Sequence, residues 1–180
     1  MSDNRNEYKI RSARKADLPA ITRIYNQGIS TRHATMESEY KNLDEMKEWF
    51  MTRDPRYRVI VLEYEDEIMG WASLNSFHYR TAYDGVADFS VYISENHRGK
   101  GLGKILMEKL EDIARENEFY KLVLFTPDHN EAAKKLYISR GFRIVGVYQN
   151  QGTIDGEWID VAVMEKQLID IKEENRYSKK

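Results

Sequence analysis

Arg98-Gly99-Lys100-Gly101-Leu102-Gly103 lies between a β-rich run, Val86 to Ile93, and a stretch carrying Leu102, Ile105, Leu106, Leu110 and Ile113 at helical spacing. Glycines in a strand-to-helix turn let the main chain approach a ligand closely, and the first amides of a helix have no partner within it, so such a turn binds anions. Arg98, Lys100 and Lys104 add positive charge to the same few residues, and the combination suits a diphosphate. A P-loop is excluded, because Arg98 stands where its first glycine belongs and Ile105 follows Lys104 instead of Ser or Thr. The dinucleotide fingerprint G-x-G-x-x-G fails as well, since its last glycine falls on Lys104 or Leu106. Glycines that only tightened the turn would leave the basic residues unexplained.

Working outward, Val86 to Ile93 alternates: Ala87, Phe89, Val91 and Ile93 share one face, and Asp88, Ser90 and Tyr92 the other. Upstream, Tyr57 to Glu63 and Glu67 to Phe77 read as a hairpin turned at Tyr64-Glu65-Asp66. Tyr8 to Arg11 reads as a first strand. Asp17 is placed to cap a helix striped by Leu18, Ile21, Ile24, Tyr25 and Ile29. Asn42 opens a second helix with Glu45 in a capping box and Met46, Trp49 and Phe50 as its apolar face. Downstream, Lys121 to Thr126 is a compact strand, and Asn130 to Arg140 a helix closed by Gly141. Arg143 to Tyr148 and Trp158 to Met164 form a last strand pair joined by a glycine-bearing loop. The expected architecture is α/β, with a mixed, mostly antiparallel central sheet flanked by helices.

The 180 residues fit one domain spanning 1–180, with a core over about 8–168 and a charged tail from 169 to 180. A net charge of −2 gives no global field toward nucleic acid or an acidic membrane. With no cysteine, disulfides, cysteine metal sites and a thiol nucleophile are ruled out. His33, His78, His97 and His129 are scattered without metal-binding spacing, so no metal is expected. The polar opening residues and the lack of an apolar run of about 20 residues point to a cytoplasmic protein.

Two blocks then carry a resemblance. Arg98 to Gly103 matches R/Q-x-x-G-x-G/A after a strand, and Asn130 with Leu136-Tyr137-Ile138-Ser139-Arg140-Gly141-Phe142 matches a second block ending L-Y-x-x-x-G-F. The chain resembles the GNAT superfamily of N-acetyltransferases from about Tyr8 to Leu168. It is similar, more narrowly, to the phosphinothricin acetyltransferase-like branch through Ile24-Tyr25-Asn26, Ala34-Thr35-Met36-Glu37, Trp49-Phe50, Gly70-Trp71-Ala72-Ser73, Phe77 to Tyr83, Ser90-Val91-Tyr92-Ile93 and Trp158-Ile159-Asp160-Val161. The branch usually carries Glu where this chain has Asp88.

The resemblance implies transfer of acetyl from acetyl-CoA to the primary amine of an amino-acid-like molecule such as phosphinothricin or methionine sulfoximine. It implies main-chain contacts to pantetheine from Val91, Tyr92 and Ile93, and diphosphate binding by Arg98, Gly99, Lys100, Gly101, Leu102, Gly103 and Lys104. Further cofactor contacts fall to Asn130, Lys134 and Tyr137, and a homodimer is expected of the branch. Amide formation needs a neutral amine and a proton for the departing thiolate. Without a cysteine, direct attack in a ternary complex is the simplest scheme. Asp88 is the candidate general base, through a water, and an ion pair with Arg80 is its structural alternative. Tyr137 is the candidate general acid. Thr35, Glu37, His78, Arg80 and Tyr83 are the substrate candidates, Arg80 for a bidentate hold on a carboxylate or phosphinate. Acetylation of a protein or peptide, and a non-catalytic acyl-CoA sensor, are the competing functions.

Overall fold

The computed structural model describes residues 8–170. Seven strands form one sheet in the order β1-β2-β3-β4-β5-β7-β6. They are β1 (Lys9–Ser12), β2 (Val59–Tyr64), β3 (Glu67–Ser76), β4 (Val86–Ile93), β5 (Lys121–Pro127), β6 (Arg143–Ile154) and β7 (Glu157–Gln167). The helices are α1 (Leu18–Ser30), α2 (Leu43–Met51), α3 (Leu102–Glu116) and α4 (Glu131–Ser139). Every strand pair is antiparallel except β4 with β5, which α3 connects as a crossover.

The alternation along the strands sorts the core into two layers. On one face α1 and α2 cover Val59, Val61 and Trp71 with Leu18, Ile21, Ile24 and Met46. On the other, Leu102, Leu106 and Leu110 of α3 pack on Ile60, Ala72, Leu74 and Phe89, in a cluster that continues to Tyr137 and Phe142. Each fully buried leucine of α3 contributes roughly 2 kcal/mol of transfer free energy. The order of elements along the chain and the alternation of β4 follow the sequence reading.

Two local expectations need correction. Asp17 does not cap α1 with its side chain. Its carboxylate instead accepts from both terminal nitrogens of Arg11 at 2.6 and 2.9 Å and from the Arg14 amide at 2.7 Å. A bidentate, charge-assisted partner outcompetes a neutral amide. The last strand pair is also longer than expected. The polar run Gln149 to Thr153 stays in strand beyond a bulge at Asn150, and Asp155-Gly156, both at positive φ, closes a two-residue turn in place of a loop. At α2 the capping box is present: Asn42 Oδ1 accepts from the amides of Asp44 and Glu45, and Glu45 accepts from the Asn42 amide at 2.7 Å. The first strand starts at Lys9, not Tyr8, and most of the charged tail, residues 171–180, lies outside the described residues.

Candidate active site

The sheet opens at β4. Its pairing with β5 covers only Val86, Ala87 and Asp88 against Lys121, Leu122 and Val123. From Phe89 onward the strands part, and the edge of β4 that faces β5 has no strand partner among the described residues. Three cavities lie along this split. One, of about 320 Å³, runs between Val91 to Ile93 and Asn130, with Arg98 on its wall. The second, of about 300 Å³, shares Val91 and Tyr92 with the first and reaches Asp88, Ser90 and Tyr137. The third, of about 400 Å³, shares Tyr25, Glu37, Asp88 and Ser90 with the second and ends at Trp49, Trp71 and Asn75. Together they make one channel past Asp88.

The glycine turn lies beside the first cavity. Gly99 and Gly101 sit at φ +75 and +81, a region that side chains disfavour, and a Cβ at either would meet nothing within 4 Å. Among the described residues, no hydrogen bond engages the amides from Arg98 to Gly103. The Lys104 amide is different: it already donates to Gly101 O at 3.1 Å, so only its exposed side chain remains for a ligand. Arg98 is exposed and donates through Nε to Ile93 O at 3.2 Å. Free amides, positive helix end and unpaired cations fit a diphosphate, the group at one end of a coenzyme A.

Asp88 and Tyr137 reach the split from opposite faces of the sheet. Asp88 belongs to the α1/α2 face and accepts from the Phe89 amide at 2.6 Å, its only hydrogen bond among the described residues. Arg80 does not pair with it. Burial pushes the Asp88 carboxyl up to about 6, with the Phe89 amide pulling the other way. Tyr137 packs edge-on against Phe89, with centroids 5.6 Å apart, in the α3 layer. Burial, and then the Asp88 charge, raise its phenol, and its hydroxyl has no hydrogen-bond partner among the described residues. Asn130 caps α4 through the Ala133 amide at 3.2 Å and also lines the first cavity, so cap and ligand roles coexist. Lys134 is already held by Glu131 at 2.8 Å and Asp128 at 3.2 Å.

Of the substrate candidates, Thr35 and Glu37 line the channel. His78, Arg80 and Tyr83 lie outside its lining, in a segment whose Phe77 stacks on Phe125 at 6.4 Å. The Arg80 side chain is exposed, 5.7 Å from the Tyr79 ring. Sequence reasoning missed Asn75, Ser90, Trp71 and Lys41 as wall residues. For Ser90 and Trp71 strand alternation was the available signal; Lys41, in a loop between helices, carried none.

A parallel split beside a crossover helix, with free amides at its start, makes a groove fit for a cofactor that carries a diphosphate. The chain belongs to the Acetyltransferase (GNAT) family, which it matches over residues 20–142. It is 33% identical to the L-amino acid N-acyltransferase MnaT of Escherichia coli over 160 residues, covering 88% of this chain and 93% of that protein. It is 32% identical to the L-methionine sulfoximine/L-methionine sulfone acetyltransferase of Salmonella typhimurium, covering 88% of this chain and 94% of the relative. Among solved structures, the phosphinothricin acetyltransferase of Sinorhizobium meliloti in complex with acetyl-CoA superposes with a TM-score of 0.84 at 29% identity, covering 89% of this chain and 88% of that one.

Proposed function

We propose that this chain transfers acetyl from acetyl-CoA to the primary amine of a small amino-acid-like molecule, of the phosphinothricin or methionine sulfoximine kind, by direct attack. The observation that carries this reading is the split at Asp88, which joins a groove beginning at free amides to a second cavity walled by aromatic and acidic side chains. Arg98 to Gly103 hold the diphosphate, and the side chains of Lys100 and Lys104 add charge. Main-chain groups of Val91, Tyr92 and Ile93, with Asn130, line the groove for the pantetheine arm. Lys134 reaches the cofactor only by leaving its two carboxylates. When bound, acetyl-CoA supplies an activated acetyl thioester.

Asp88 is ionised above pH of about 6 and takes the proton of the acceptor ammonium. Tyr137, kept protonated by burial, presents its O–H to the departing sulfur from the other side of the sheet. Base and acid therefore flank the reacting carbon, which suits attack from one face and departure toward the other. Thr35 and Glu37 line the acceptor side. His78, Arg80 and Tyr83 stand outside this lining, beside Phe77, whose ring stacks on Phe125 of the channel wall. The protein works in the cytoplasm, as one domain and as a homodimer. No helix among the described residues is long and apolar enough to cross a membrane.

Thiol release from acetyl-CoA with a panel of amino acids, peptides and simple amines tests the assignment. Turnover with L-methionine sulfoximine or phosphinothricin is expected. Turnover only with peptides, or none with any amine, would overturn it.

A further inference from the structure

The wall of the acceptor cavity contains a hydrogen-bond chain with one direction. Arg53, whose guanidinium lies 4.4 Å from the Trp49 ring centroid, donates from Nη2 to Asn75 Oδ1 at 3.1 Å and to Leu74 O, and from Nε to Tyr57 O. Ser73, fully buried, donates its hydroxyl to the same Asn75 oxygen at 3.0 Å. Two donors on Oδ1 leave the Asn75 amide only one orientation, with Nδ2 toward its neighbour. Nδ2 donates to Ser90 Oγ at 3.2 Å. Ser90 is thereby an acceptor within the wall, and its own proton is left to point away from Asn75.

The register places these groups around Asp88. Asn75 is the cross-strand partner of Asp88, and Ser73 that of Ser90, so all four side chains share one face. Asn75, Asp88 and Ser90 line the acceptor cavity together. Asp88 spends one oxygen on the Phe89 amide, which leaves the other without a partner among the described residues. A free donor and a free acceptor thus face the same space, two residues apart on β4. The other charged or titratable groups of those cavities are Tyr25, Glu37, Lys41, Glu45, Tyr92 and Tyr137, with Glu37 held by Lys41 at 2.8 Å.

We propose that Asn75 is a positioning residue that aims the Ser90 hydroxyl into the cleft, where it seats the water through which the acceptor amine passes its proton to Asp88. The inference rests on the reading of Asp88 as the base. The water accepts the Ser90 hydroxyl with one lone pair. The ammonium gives a proton to that water as the water gives one of its own to the free Asp88 oxygen; water is regenerated and the amine lone pair is released. Asn75 itself exchanges no proton, and its part is to fix which way Ser90 donates.

Two readouts test this. In steady-state assays, Ser90→Ala and Asn75→Leu each lower kcat about tenfold and leave the KM for acetyl-CoA within about twofold of the parent. The double variant is no slower than the slower single, because both changes remove one water seat. In the ligand-free protein, carbon-13 titration of the Asp88 carboxyl moves to higher pH in both variants, since a donor reaching the charged form through water has been lost. Ser90→Ala at the parent kcat with an unmoved titration would overturn the proposal, as would losses that multiply in the double variant. Should Asn75→Leu fail to fold, Ser90→Ala alone decides. A parent without turnover on any amino acid sinks the assignment of function, while the titration still judges this pair.

Discussion

At the scale of the residue, the proposed chemistry turns on a carboxylate that the fold makes uncomfortable. Asp88 sits in mid-strand with no cation paired to it among the described residues, and burial moves its carboxyl up to about 6. A base must be deprotonated to act, so kcat/KM falls as pH drops through about 6 and is flat above it, until another group titrates. Asp88→Asn removes this limb along with about 100-fold or more of the rate, and a pH–rate series on both proteins checks it. The same shift has a consequence for stability. A carboxyl whose folded pKa is raised binds its proton more tightly in the folded state, so the fold is penalised above about pH 6 and relieved below about pH 4. Asp88→Asn is therefore expected to stabilise the protein by about 2 kcal/mol at pH 8 and by almost nothing at pH 3.5, read from urea melts at the two pH values. Tyr137→Phe removes only the hydroxyl. Its ring contacts with Phe89 and Phe142 persist, so acetyl-CoA affinity by calorimetry stays near the parent while turnover falls about 100-fold. Parent-like turnover would remove Tyr137 from the mechanism.

At the scale of the element, α3 joins the two ends of the site. Its first turn carries the free amides, and Glu111 on its inner face, only 1% exposed, accepts from Arg140 at 3.0 and 3.1 Å and from Lys166 at 2.6 Å. Arg140 follows the last turn of α4, three residues after Tyr137, so this carboxylate ties the diphosphate helix to the helix of the proposed acid. Glu111→Ala leaves two cations facing a cavity, a loss of about 3–5 kcal/mol that a thermal melt reads directly. Gly101→Ala acts locally instead. At φ +81 an alanine costs about 1–2 kcal/mol and moves the amides, so acetyl-CoA binding weakens at least about tenfold. Such glycines are why the fold was legible: a left-handed turn between a clean alternation and a clean helical stripe has few other uses. The Asn42 capping box was legible for the same reason, since its partners lie three residues apart. The walls of the acceptor cavity were not. Asn75 meets Ser90 across a register that only the assembled sheet sets, and Asp17 is drawn to Arg11 by a strand it does not belong to. Arg80, read as a carboxylate ligand from its neighbours in sequence, lies on the outside of a turn that no local pattern would orient.

At the scale of the whole molecule, the far edge of the sheet bears on how the protein assembles. β6 pairs with β7 on one side and with no strand on the other among the described residues. Val145 and Tyr148 are each 50% exposed, Ile144 and Val147 nearly as much, and Trp158 on β7 is 68% exposed. Scattered apolar side chains on a surface are ordinary, but a contiguous row along an open strand invites pairing and is seldom left uncovered. A second copy covers it in the proposed homodimer. The sheet links this edge to the site, because β7 lies between β6 and β5 and Phe125 of β5 lines the channel. Paired lysines at Val145 and Val147 place charge on the edge at positions that are already half in solvent, so the cost to the isolated fold is about 0.5 kcal/mol or less each. Sedimentation at micromolar protein is expected to show a dimer for the parent and a monomer for Val145→Lys/Val147→Lys, with the monomer keeping its acetyl-CoA affinity because the glycine turn lies elsewhere. A parent that sediments as a monomer would overturn the dimer, and a variant that stays dimeric would move the interface away from β6.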